Sequence, residues 1–231
     1  MVETTPMRAA IARRMSESKR EAPHFYVSTE IWMNELLAHL QDESETHAGA
    51  RITPTAALVR ACVEGLRRHP RLNAVWTADG LLQADEVNIG VAVALEGGLI
   101  APALLGADRL GLGETADALA DLVERARSAR LRPAEIGEAT FTLSNLGMFQ
   151  VTEFTAIVTP PQVAILAAGR SAERVRVVED EIVRRSVMTV TLSADHRAVD
   201  GVDAARFLQT IKEALEAPGV LRRPYSEEAA T

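Results

Sequence analysis

This sequence does without most of what marks a secreted, membrane-bound or metal-dependent protein. A single cysteine, Cys62, cannot form an internal disulfide or build a cysteine-based zinc cluster. It lies in "ALVRACVEGL", on the apolar side of a predicted helix, where a thiol serves packing rather than chemistry. No apolar stretch approaches the ~20 residues a bilayer span requires, so no membrane partner is expected. The opening "MVETTPMRAAIARRMSESKR" is basic but lacks an apolar centre, and Glu3 and Glu17 argue against an import leader, so a cytoplasmic setting is expected. Positive charge is not in excess either. With 25 Lys and Arg against 32 Asp and Glu, the formal charge is −7, which argues against a nucleic-acid partner.

Several chemical signatures are also missing. There is no G-x-S-x-G elbow, no Walker loop and no G-x-G-x-x-G after a strand. "LGLGE", before a predicted helix, holds only two spaced glycines and reads as a turn. His24, His39, His47, His69 and His196 show no metal-ligand spacing, so no metal is expected.

What is present reads as one α/β domain over 1–231 with a mixed sheet. At 47% hydrophobic and 25% charged, a chain of 231 residues can bury a sizeable core. Thr5 as N-cap and Pro6 at the first helical position predict a helix that stops before Pro23, giving a helical arm over 1–22. "HFYVSTEIWM" alternates, with Phe25, Val27, Ile31 and Met33 on one face and Tyr26, Glu30 and Trp32 on the other. Helices follow around "NELLAHLQDESE" and, opened by Thr53 and Pro54, in "TPTAALVRACVEGLRRHP". Asp79-Gly80 predicts a hairpin, and Gly97-Gly98 a junction between two apolar strands. After a helix in "ETADALADLVERARSAR", short strands are predicted in "TFTLSN", "FTAIV", "QVAILAAGR", "RVRVVEDEIVRR" and "SVMTVTLSA". A last helix runs from near Gly201 to about Pro218, and 219–231 reads as a polar, fraying tail.

One stretch raises a question of chemistry. "SADHRAVDG" (193–201) ends a β-rich run and precedes an amphipathic helix. In one reading Asp200 caps that helix, Arg197 is solvated and His196 is merely exposed. In the other, His196 handles protons, since imidazole is the side chain whose ordinary pKa, roughly 6.5, lies near neutrality. A second stretch, "TFTLSNLGMF" (140–149), runs a strand into a polar turn that offers the Ser144 hydroxyl and the Asn145 amide.

Together, "FTLSNLGMF" and "DHRAVDG" resemble the catalytic domain of the dihydrolipoamide acyltransferases, the E2 core components of 2-oxo acid dehydrogenase complexes. "TPMRAAIARRM", "APHFY", "LNAVW", "VNIGVAVALEGGLIAP", "FTAIVTPPQVAIL" and "VMTVTLSADHRAVDG" fall in the family's order over nearly the whole chain. The resemblance implies a chloramphenicol acetyltransferase-like fold, a two-layer sandwich with a mixed sheet that assembles as a trimer. It implies acyl transfer between dihydrolipoamide and coenzyme A, with His196 as general base, Ser144 as donor to the tetrahedral oxyanion and Asp200 holding the loop through an arginine such as Arg14. Asn145, Phe149 and Gln150 become substrate-binding candidates. Coenzyme A is then a substrate, and lipoamide arrives on a lipoyl domain that is not in this sequence. The implied partners are further copies of the chain, with the active site at the subunit interface and a larger cage beyond the trimer, together with the lipoyl domain and the E1 and E3 components.

The sequence departs from the family in three places. No lipoyl or peripheral-subunit-binding segment precedes the domain, Gln150 stands where glycine is expected, and "APGVLRRPYSEEAAT" replaces a leucine-rich tail with arginines, which favours a trimer over a cage. Two other functions compete with acyl transfer to coenzyme A. One is a same-fold acyltransferase with another acceptor, although the paired histidines of condensation enzymes are here Asp195 and His196. The other is a scaffold subunit without turnover, although His196 and Ser144 are both intact.

Overall fold

The computed structural model describes residues 4–95 and 97–226. Thr5 accepts the Arg8 N–H at 3.2 Å and opens α1 (Pro6–Glu21) as expected. α1 seats Met7 and Ile11 over Gly98, where a side chain would collide with Met7. β1 (His24–Trp32) follows and has the two predicted faces: Ile31 and Met33 are buried, and Tyr26 and Trp32 exposed. After α2 (Asn34–Thr46) comes α3 (Pro54–Arg68), capped by Thr53. From Ala56 to Leu66 α3 is buried on every side, because its small residues let neighbours approach closely. A Cβ on Gly65 would lie 2.5 Å from the Phe207 ring, so Gly65 supplies the notch in which that ring rests.

The predicted hairpin forms as β2 (Ala74–Thr77) and β3 (Gly80–Gln83), with Gly80 at φ +113°. The next apolar stretch makes four short strands rather than two: β4 (Ile89–Val91), β5 (Val93–Leu95), β6 (Gly98–Ile100) and β7 (Ala103–Leu104). β4 and β7 join the main sheet, while β5 and β6 pair only with each other. α4 (Leu112–Arg127) is opened by "LGLGE", where Glu114 accepts the Gly111 N–H at 2.8 Å. α5 (Pro133–Gly137), one short turn, has no apolar periodicity to announce it.

β8 (Phe141–Asn145) and β9 (Ala164–Ala168) are parallel neighbours. Between them the predicted strand "FTAIV" does not form. Two side chains, rather than a ladder, satisfy Val158: its N–H donates to His24 at 3.0 Å and its carbonyl accepts from the Ser18 hydroxyl at 2.6 Å. β10 (Ala172–Val178) and β11 (Glu181–Asp195) correct a second expectation. "EIVRR" and "SVMTVTLSA" are one fifteen-residue strand, and the chain reverses at Glu179 and Asp180, both at positive φ. The seven-stranded mixed sheet runs β1-β11-β9-β8-β4-β7, with β10 pairing the first half of β11. α6 (Gly201–Glu216) packs with α3 against one face of this sheet. Val190, Leu192 and Ala194 point into that core.

The segment after α6 is held rather than frayed as far as Tyr225. Leu221 is buried, and Arg60, the largest fully buried side chain, donates to Leu221 O at 3.4 Å, Ala107 O at 3.3 Å and Arg223 O at 2.7 Å. Its remaining partner is Glu64 at 3.3 Å. Burial lowers the Arg60 pKa and raises that of Glu64, while Glu64 is compensated both by Arg60 and by Arg68 at 3.6 Å. Arg60→Ala is expected to cost about 3–5 kcal/mol, by weakening the compensation of Glu64 and leaving the carbonyls of Ala107, Leu221 and Arg223 without their donor. A urea titration checks this, and pairing Arg60→Met with Glu64→Leu is expected to recover most of the loss.

Candidate active site

β11 ends at Asp195, where the β1 ladder also begins, since His24 is its partner across the strands. The Asp195 side chain is buried, yet its carboxylate is fully used. It accepts the Arg197 backbone N–H at 3.0 Å and grips the guanidinium, with Nε at 3.0 and 3.1 Å and Nη2 at 2.6 Å. The Asp195 carbonyl accepts from Ala198 at 3.0 Å and Val199 at 3.1 Å, which turns the chain tightly toward α6. Arg197 also lies 4.6 Å over the Trp76 ring, and its pKa is raised, chiefly by the hydrogen bonds to Asp195. Arg197 is therefore a structural clamp and not the solvated charge of the plainer reading.

The clamp fixes the residue between its two ends. His196 donates its backbone N–H to Pro23 O at 3.0 Å, and its ring lies 4.5 Å from that of Phe25. The residue itself is exposed. Its orientation is thus set by the backbone and by one aromatic neighbour, while the ring remains open to a reactant.

Asp200 does what the spacing suggests. It caps α6, accepting from Val202 at 2.8 Å and Asp203 at 2.9 Å, and the Asp203 N–H is the main cause of its lowered pKa. The expected anchor is elsewhere: Arg14 donates to Pro160 O at 3.2 Å and not to Asp200.

The second stretch lies at the other end of the sheet. Ser144 is half-buried at the end of β8, and its hydroxyl is uncommitted among the described residues. Asn145 spends its amide on local structure, donating to the Thr55 hydroxyl at 3.0 Å and accepting the Gly147 N–H at 2.7 Å. Phe149 is 53% exposed, and Gln150 accepts a hydrogen bond from Arg170. Ser144, Asn145, Phe149 and Gln150 therefore share one turn, and His196 and Asp200 share one corner.

The two groups do not meet within one chain. Ser144 stands opposite Ala167, and Ala167 opposite Thr191, five residues before His196. Two strand spacings of ~4.8 Å and five residues at ~3.4 Å each put the two backbones about 20 Å apart. Asp195, Arg197, Phe25 and Trp76 support the corner without having been foreseen. The one signal in the sequence was an acid at the end of an apolar strand, two residues before an arginine. Among the described residues no group of three or more His, Cys, Asp or Glu could hold a metal, and no helix is long and apolar enough to cross a membrane.

The family model for the 2-oxoacid dehydrogenases acyltransferase (catalytic domain) matches residues 1–222. This chain belongs to that family. A similar relative is the dihydrolipoyllysine-residue acetyltransferase component of the pyruvate dehydrogenase complex of Zymomonas mobilis, 38% identical over 95% of this chain and 51% of its own length. The chain thus spans about half the length of the curated relatives it matches. The Azotobacter vinelandii dihydrolipoamide acetyltransferase has a similar structure, with a TM-score of 0.91 and 29% identity over 96% of this chain and 93% of that one. It was the subject of crystallographic and enzymatic investigations on the role of a serine, a histidine and an asparagine in its catalytic mechanism. The cubic core of the pyruvate dehydrogenase multienzyme complex matches with the same TM-score of 0.91 and 29% identity, over 96% of this chain and 93% of that one. Chloramphenicol acetyltransferase, at 14% identity over 88% of this chain and 94% of that one with a TM-score of 0.58, shares the fold, as the resemblance implied.

The depressed Asp200 carboxyl carries a pH signature. Its cap stabilises above the ordinary carboxylate range and is lost as pH falls through its lowered pKa. Asp200→Ala is expected to lower the melting temperature at neutral pH and to reduce the loss of stability on acidification. Thermal unfolding between pH 3 and pH 7 checks both.

Proposed function

We propose that this family member moves an acyl group between dihydrolipoamide and coenzyme A. The observation that supports this best is the fixed, exposed imidazole of His196, together with the uncommitted Ser144 hydroxyl. The same number of positions separates these two residues as separates the serine and histidine investigated in the Azotobacter enzyme. Asp200 follows His196 by the same step as the asparagine of that enzyme follows its histidine.

His196 takes the proton from the thiol of whichever carrier is to receive the group. Thiols ionise near pH 8.5 or above, so a positioned base at neutral pH contributes about 10²–10⁴-fold. The thiolate attacks the thioester carbonyl and forms a tetrahedral intermediate. Ser144 donates to its oxyanion, and collapse expels the other carrier's thiolate, which recovers the proton from His196. Asp200 acts on the reaction only by capping α6 and so holding the corner. The relatives named above support acetyl as the group and a pyruvate dehydrogenase complex as the setting. There the lipoyl domain and the E1 and E3 components would be its partners.

Because one chain holds the two groups at opposite ends of its sheet, the working site takes Ser144 from a second copy. A trimer, as the resemblance implies, supplies one such contact per chain, and the cubic core of a similar protein supports assembly beyond it.

Acyl transfer from acetyl-CoA to dihydrolipoamide is expected to fall by about 10²–10⁴-fold in His196→Ala. The expected loss in Ser144→Ala is about 10²–10³-fold. Dissociating the two inactive variants together and reassembling them is expected to restore activity. An equal mixture leaves about a quarter of interfacial sites with both groups intact. Wild-type turnover in His196→Ala overturns the mechanism, and failure of the reassembled mixture overturns the shared site.

A further inference from the structure

The segment beneath His196 is held by another histidine. His24 Nδ1 lies 2.8 Å from Ala22 O, and its Nε2 lies 3.0 Å from the Val158 amide nitrogen. Only one state of the ring satisfies both contacts. Nδ1 must carry the hydrogen and donate to Ala22 O, and Nε2 must offer its lone pair to the Val158 N–H, so His24 is neutral and of a single tautomer. Val158 is a firm attachment point, because the buried Ser18 donates from α1 to its carbonyl at 2.6 Å.

His24 sits between the two residues that touch His196. Pro23 precedes it and accepts the His196 backbone N–H at 3.0 Å, and Phe25 follows with its ring 4.5 Å from the imidazole. It is also the ladder partner of Asp195 across the β1–β11 pairing. The charged groups around it are already engaged: Asp195 holds Arg197, and Lys19 contacts the Tyr26 hydroxyl. Nothing else among the described residues holds the backbone of Ala22 and the Val158 amide through one side chain.

We infer that His24 is a positioning residue for the acyl-transfer reaction: by tying Ala22 to Val158 it fixes the Pro23–Phe25 platform and so sets the aim of the His196 ring. This rests on the reading of His196 given above. The reaction is sensitive to aim, since about an ångström of misplacement can cost ~10²-fold in rate. Binding of coenzyme A and dihydrolipoamide is expected to be little affected, because both ring nitrogens of His24 are already engaged within the chain.

Two substitutions divide the contacts. His24→Gln can place its Oε1 where Nε2 accepts from Val158, whereas His24→Asn can donate toward Ala22 O but is too short to accept from Val158. The readouts are kcat and KM for both substrates and the Hε1 resonance of His196 in each variant, alongside His196→Ala. His24→Asn is expected to lose about tenfold or more in kcat, with each KM within about twofold and the His196 resonance displaced. His24→Gln is expected to stay within about threefold of wild type in kcat, with the resonance restored. Equal kcat in the two variants, or losses that appear in KM alone, overturns the positioning role. If His196→Ala retains wild-type turnover, the reading of His196 fails instead, whatever the His24 variants do.

Discussion

A carboxylate taken out of water must be matched where it is buried, and in this fold the match is Asp195 with Arg197. The same carboxylate holds the Arg197 backbone N–H, and the Asp195 carbonyl holds the next two amides. One residue therefore ends β11, turns the chain and starts the approach to α6. His196 lies inside this constraint and has no freedom to turn its backbone away. The exposed imidazole depends on the buried acid beside it, and that acid depends on the arginine and on Trp76 beneath it.

The sheet carries this arrangement outward. β11 is long because it serves two sets of neighbours, β10 along its first half and β1 and β9 along its second. Its apolar residues face α3 and α6, whose close contact relies on the absence of a side chain at Gly65. The far end of the sheet holds Ser144, and strand order and register set the distance between the two groups.

Much of this was legible in the sequence, and the rest was hidden for physical reasons. Thr5 with Pro6 and Thr53 with Pro54 announced their helices because capping is local. The faces of β1 followed from alternation, and Asp200 from its place before an amphipathic run. The fusion of "EIVRR" with "SVMTVTLSA" was hidden because a Glu-Asp turn at positive φ lacks the usual glycine. "FTAIV" has strand composition, but Ser18 and His24 supply the hydrogen bonds that a neighbouring strand would have given. The role of Arg60 was hidden, since its partners lie far along the chain at Ala107, Leu221 and Arg223. The separation of Ser144 from His196 depends on which strands neighbour which, and no local pattern encodes that.

A chain that offers a base at one end of its sheet and a hydroxyl at the other must be completed by another copy, either reciprocally in a two-fold pair or head to tail along a series of copies. Set out in an open row, such copies would always leave an unused base at one extremity and an unused hydroxyl at the other. Closure into a ring removes both leftovers, so under the proposed reading the geometry of a single sheet already favours a cyclic enzyme over a filament.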